Sequence, residues 1–250
     1  MSVNPSLLLF GKDIKLSKWL GTIHQPTLAE ILDRGLDVND FISPFYLIVS
    51  ASMREELDKP LLVLLAISAE LSKKGKEPIL DKLLTSLSML YNDAEIQMYE
   101  MEDSIALGIL DSDGIKYIID DENFMELCEV VLEMSNVDIV NEDADLDELD
   151  APPEIIEKIR EGRRKFREKE RLEGKKKGLE FCDMCNELIH INNAYDYNSV
   201  LNLTIWQIKN SYKILTVKNA QDSYINSGSV QWKAEDFPDW RKETKIKKNN

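Results

Sequence analysis

From Val137 to Gly178 the chain offers little to a hydrophobic core, and this interruption constrains its fold more than any other feature. Val137 to Asp150 holds seven acids and no base. Pro152-Pro153 follows, and Glu154 to Gly178 then carries eleven Lys or Arg against six acids, with Ile155, Ile159 and Phe166 as a thin apolar stripe. A helix of that composition is supported by i,i+4 ion pairs more than by burial. The expected organisation is an N-terminal domain over 1–136, an acidic linker over 137–153, a charged connecting helix over 154–180, a C-terminal aromatic helical module over 181–240 and a basic tail over 241–250. The acids lack the sixth-position glycine and twelfth-position Glu of an EF-hand loop, so they read as a solvated linker, with a divalent-cation site as the alternative.

Within 1–136 the pattern is mainly helical. Leu7 to Phe10, Gly11-Lys12 and Ile14 to Leu16 read as a short hairpin. Thr27 and Glu30 have capping-box spacing, and Gly35 is placed to end the helix they open. Ser43-Pro44 reads as a further helix start. Pro60 opens a helix whose run Leu61 to Ala69 suggests burial on every side. Leu80, Leu83, Leu84, Leu87 and Tyr91 form one stripe of the helix after Pro78, and two helices so closely joined favour an antiparallel pair. Beyond Asn92, Ile96, Met98 and Tyr99 alternate with polar residues, and Ile105 to Leu107 and Ile115 to Ile119 flank Asp111-Ser-Asp-Gly114 as an antiparallel hairpin. Asp121 is then expected to cap a helix that buries Phe124, Leu127, Cys128, Val131 and Met134. The fold class is mainly α (α+β), a helical body with two small antiparallel β-hairpins.

Charge narrows the function classes. With 31 Lys or Arg against 46 Asp or Glu, the formal net charge is −15. Such a chain is repelled by nucleic acid and by anionic membranes; a nucleic-acid-associated regulator using the basic connector, Arg160 to Lys177, is the alternative that charge alone leaves. The longest apolar run, Leu61 to Ile67, is far shorter than the roughly 20 residues of a membrane span, and three cysteines do not make a disulfide framework. The expectation is a protein of the cytoplasm.

One local motif has a chemical type. Cys182-Asp-Met-Cys185 can grip zinc, provided that two further ligands arrive. The motif reads as unliganded structural cysteines, with zinc as the alternative; His190 lies nearest in sequence as a further ligand, His24 and Cys128 are more distant candidates, and a thioredoxin-like redox pair is set aside because no βαβ pattern surrounds the motif. GxSxG, Walker A, GxGxxG and HExxH patterns are missing from the sequence, and the expectation is a non-enzyme without a cofactor. In the C-terminal module, Ile205, Ile208, Tyr212 and Leu215 share one helical face beside Trp206. Trp206, Ile208, Tyr212 and Leu215 are candidate contacts for a partner helix lying in a groove; the competing reading makes them a small core.

Two stretches resemble tail assembly proteins encoded by tailed phages of Gram-positive bacteria. Ile23-His-Gln-Pro-Thr-Leu-Ala-Glu-Ile-Leu-Asp-Arg-Gly35 is similar to their "P-T/S-x-x-E-I" opening. Tyr195-Asp-Tyr-Asn-Ser-Val-Leu-Asn-Leu-Thr-Ile-Trp-Gln-Ile208 is similar to their "L-T-x-x-Q-L" helix near the end. The order of hairpin, helical body, charged connector and aromatic module is alike over most of the chain. A further resemblance, carried by the CxxC, is to a baseplate-hub component of T4-like contractile tails. The resemblance implies a tail-morphogenesis chaperone in the host cytoplasm, with the tape-measure protein and tube or baseplate subunits as partners. A structural component of the virion tail or baseplate is the alternative.

Overall fold

The computed structural model describes residues 3–52, 58–100, 103–137, 155, 158, 180–191 and 195–226. The acidic stretch from 138, almost all of the connector, the C-terminal Trp232 and Trp240, and the basic tail lie outside the described residues. What is described is an α+β fold, mainly helical, with one two-stranded and one three-stranded antiparallel sheet.

The chain opens with α1 (Pro5–Leu9). This corrects the expected Leu7 to Phe10 strand. Asn4 accepts the Ser6 N–H and Pro5 occupies the first turn, so a cap and a preset φ outweigh the strand-like Leu run. The hairpin forms one step later, β1 (Ile14–Lys15) pairing with β2 (Thr22–Ile23). Next, α2 (Leu28–Asp33) begins with the expected Thr27/Glu30 capping box, and Gly35 follows it at φ +74°.

Helix α3 (Val38–Ser52) runs straight through Pro44, so Ser43-Pro44 is not a helix start. Asp37 begins the helix earlier by accepting the Asp40 N–H at 2.7 Å. The missing Pro44 N–H leaves the Asp40 carbonyl short of a donor, and Ser43 Oγ supplies one at 3.3 Å. Phe41, Phe45 and Ile48 are fully buried, and α3 packs against α4 (Pro60–Lys73), α5 (Ile79–Leu90) and α6 (Phe124–Met134). Helix α4 is not buried all round. Leu61, Leu64 and Ser68 face inward, whereas Ala66 and Ala69 are exposed.

Between α5 and α6 lies the sheet β3 (Glu95–Glu100), β4 (Ile105–Asp111), β5 (Gly114–Ile119), with β4 central. The expected hairpin is β4–β5, turned at Gly114 with φ +118°, and β3 adds a third strand. Asp121 does not cap α6, whose N-cap is Asn123. Its carboxylate instead accepts the Leu61 N–H at 2.9 Å, capping α4 across the fold, since Lys59 at that helix start contributes no side-chain cap. Burial pushes the Asp121 carboxyl up, against the pull of the Leu61 N–H and Lys59.

The C-terminal elements α7 (Phe181–Ile191), α8 (Tyr197–Leu201) and α9 (Ile205–Asn226) pack on the N-terminal body: α9 meets α1, and α8 meets α2. Leu188, Val200, Ile205, Trp206, Ile208 and Leu215 join one continuous buried cluster with Ile31, Phe41 and Phe124.

Candidate functional site

The two stretches that carry the family resemblance meet in space. Thr27 and Thr204 form an isolated antiparallel bridge, and the Leu28 N–H donates to the Leu203 carbonyl at 2.9 Å. Each threonine also caps its own helix. Thr27 N–H donates to Glu30 Oε2 at 2.7 Å and Glu30 N–H to Thr27 Oγ1 at 3.3 Å. Thr204 N–H donates to Gln207 Oε1 at 2.9 Å and Gln207 N–H to Thr204 Oγ1 at 3.3 Å. Thus T-x-x-E and T-x-x-Q are two capping boxes set back to back. Gln207 extends the seam, its Nε2 donating to the Leu9 carbonyl at 2.9 Å. The residue types follow from this geometry, because a hydroxyl and a carboxylate or amide three residues apart satisfy two orphan amides at once.

His24 flanks the seam. Its Nδ1 lies 3.2 Å from Asp13 Oδ1 and its Nε2 3.4 Å from Glu30 Oε2, so the imidazole bridges two carboxylates. Burial pushes the Glu30 carboxyl up, but the hydrogen bonds from Thr27 and the nearby His24 outweigh it and the net shift is downward. A carboxyl lowered by folding stabilises the native state above its unfolded pKa, and that contribution disappears as pH falls through the folded value. Thr27→Ala and Thr204→Ala should each cost about 1 kcal/mol at neutral pH. The Thr27→Ala deficit should shrink as pH falls below the ordinary Glu range and Glu30 protonates; urea titrations at neutral and at acid pH measure it.

Cys182 and Cys185 lie on the regular helix α7, one exposed and one half-buried. Burial, with Cys182 adding, pushes the Cys185 thiol up to about 11. The 3.6-residue turn carries His190 about 140° around the axis from Cys185, and its ring sits edge-on to Tyr197 at 6.5 Å. The structure therefore does not bring His190 to the cysteine pair. Among the described residues no three His, Cys, Asp or Glu side chains converge as a metal-binding group, so zinc at this pair needs donors from elsewhere. Cys128 is fully buried in α6, where burial raises its thiol well above the usual range. A maleimide pulse on the native protein should label Cys182 first, Cys185 slowly, and Cys128 only on unfolding, as peptide mass spectrometry would show.

Trp206, Ile208 and Leu215 are buried and Tyr212 is packed against the same core. They face inward, into the core shared with the N-terminal body. Sequence reasoning missed the outer surface of the three-stranded sheet. The β4–β5 register pairs Ile109 with Tyr117 but Leu110 with Ile115, which makes Lys116 the extra residue of a β-bulge. Tyr117 and Ile119 consequently turn inward, while Ile115 and Ile118 both point out, 50% and 40% exposed. Gly108, opposite Ile118, lies under the Tyr99 ring: a Cβ there would sit 2.7 Å from Tyr99 Cε2 and 3.6 Å from Ile115 Cγ2. At the margin the Ile118 N–H donates to the Trp19 carbonyl at 3.3 Å, and the Trp19 side chain is 65% exposed. A cleft of about 210 Å³ runs beside this margin, with Asp13, Thr22, Lys116 and Tyr117 among its lining residues.

Comparison with protein-family models, with curated proteins and with solved structures finds no match to this chain. No described helix is long and apolar enough to cross a membrane.

Proposed function

We propose that this chain is a non-enzymatic tail-morphogenesis factor of a tailed bacteriophage: a chaperone that binds the tape-measure protein in the host cytoplasm and assists tail assembly. The observation that carries this reading is the seam. The two stretches on which the resemblance rests, far apart in sequence, join as paired capping boxes through Thr27 and Thr204, which supports treating them as one feature. The role of that feature is architectural, so the client has to bind elsewhere on the chain. A net charge of −15 suits a protein that must stay soluble at high copy while handling an apolar client.

Co-expression with the tape-measure protein of the same phage tests the proposal. The client should move to the soluble fraction and co-purify with this chain. A client equally insoluble with and without the chain would overturn the reading. The chain should also be missing from mature particles; its recovery in stoichiometric amounts from purified virions, by mass spectrometry, would instead favour a structural role in the tail or baseplate.

A further inference from the structure

We propose that the outer edge of β3 docks an extended segment of a partner polypeptide with Lys or Arg at both its ends, added to the sheet as a fourth strand. The three-stranded sheet has two edges, and they differ. At β5 the register is bulged and the Ile118 N–H donates to the Trp19 carbonyl at 3.3 Å, so that edge is distorted and part-covered. At β3 all six residues pair with β4 in unbroken register, from Glu95 opposite Leu110 to Glu100 opposite Ile105. Alternate residues of an antiparallel edge strand direct N–H and C=O away from their neighbour. Among the described residues, no backbone hydrogen bond joins β3 to anything but β4. The strand also contains no Pro and no Lys, residues that commonly blunt such an edge. A regular, unblunted edge of this length is a template for strand addition.

The side chains of β3 select the occupant. Ile96 and Met98 stand opposite Ile109 and Leu107, both buried, so the core-facing apolar layer runs across the sheet and stops at Met98, 38% exposed. A strand laid about 4.8 Å beyond β3 sets an apolar side chain beside Met98 and continues that layer. Glu95 and Glu100 stand exposed at the two ends of the strand. The bases nearby are engaged elsewhere: Arg34 with Asp93 just before β3, Lys59 with the Asp103 carbonyl just after it at 2.6 Å, and Lys116, two strands away, with Asp111 at 3.5 Å. Across a strand pair a base facing each glutamate is favourable and an acid is not. A second copy would bring its own two glutamates and a further net charge of −15 to this edge. The acids therefore discriminate against self-pairing and leave the edge open to a basic strand. The inference deepens the tail-assembly reading by assigning the chemistry of the client's docking segment, and rests on that reading only for the client's identity.

Backbone pairing and charge make separate predictions. Fluorescently labelled synthetic peptides share an alternating Thr/Val sequence and carry either Lys or Glu at both ends. Fluorescence anisotropy with the full chain should show the Lys-ended peptide binding about tenfold more tightly, with the difference shrinking in salt. An N-methylated version of that peptide, equal in charge but without amide donors, should bind about tenfold or more weakly. Glu95→Lys/Glu100→Lys should reverse the preference. Both side chains are exposed, so this variant should melt with the wild type, and thermal denaturation checks that. Tighter binding of the Glu-ended peptide, binding of neither, or an N-methylated peptide that binds equally well overturns the proposal. Self-association in sedimentation velocity that the Lys-ended peptide competes away also overturns it, assigning the edge to a second copy. So does a tenfold gain in affinity on deleting residues 241–250, which assigns the edge to the chain's own basic tail. Client solubilisation without peptide binding overturns this edge alone; peptide binding by a chain that leaves the tape-measure protein insoluble overturns the chaperone reading alone.

Discussion

Gly21→Ala should destabilise the fold by about 2–5 kcal/mol, the sum of left-handed backbone strain and forced repacking. Gly21 sits at φ +69° in the turn between β1 and β2, and a Cβ there would lie 2.2–2.6 Å from three atoms of the Tyr117 ring. That ring also lines the cleft beside Lys116, so how far it can move sets where in that range the loss falls. Its other neighbour is Tyr91, centroid to centroid 5.9 Å, and Tyr91 is held by its hydroxyl donating to the Leu20 carbonyl at 2.9 Å. The turn itself is tied by Leu16 N–H to the Gly21 carbonyl at 2.8 Å and Gly21 N–H to the Ser17 carbonyl at 2.9 Å. Gly35→Ala provides the control, since Gly35 has φ +74° and an added Cβ would meet nothing within 4 Å. It should cost only the backbone strain, about 1–2 kcal/mol. Urea titrations of both variants, read as midpoints at unchanged slope, separate the two contributions. Equal losses would show that the Tyr117 contact is not rigid.

The elements legible in the sequence are those whose determinants are local. Thr27 and Glu30 are three residues apart, so their capping box can be read directly; the same holds for Gly35 and for the Gly114 turn. Where sequence and structure differ, a second local signal competes. Asn4 and Pro5 mark a helix start, yet Leu7-Leu8-Leu9 has the look of a strand. Asp37 with Asp40 begins α3 before Pro44, which then needs only Ser43 Oγ to be accommodated. Other features have no local signature at all. Asp121 caps a helix whose amide at Leu61 lies 60 residues away. The Lys116 bulge depends on how β5 registers against β4, and only that register reveals Ile115 and Ile118 as neighbours on one face. Trp19, in a short turn, carries no periodicity from which its exposure could be read. For Trp206 and Ile208 the spacing correctly marks an apolar face but not what covers it: the cover is the N-terminal body itself, and finding it requires knowing that Thr204 pairs with Thr27.

That pairing makes Trp206→Ala the second large effect, with an expected loss of about 3–5 kcal/mol. Trp206 is only 6% exposed, between Ile205 and Ile208 in the shared core. The start of α9 cannot shift easily to fill the hole, because the Leu28–Leu203 hydrogen bond and the Gln207 contact to Leu9 pin it at 2.9 Å each. Against a total stability of about 5–15 kcal/mol for an ordinary domain, such a loss is severe. Trp19→Ala, at the exposed margin of the sheet, should change stability by less than about 0.5 kcal/mol. The two variants therefore contrast a core tryptophan with an exposed one. If α9 belongs to the same cooperative unit as the body, far-ultraviolet ellipticity and the near-ultraviolet signal of the buried rings should fall in one coincident transition, shifted together by Trp206→Ala. A Trp206→Ala protein that keeps wild-type stability while losing its client would reverse the assignment, placing the contact surface on α9.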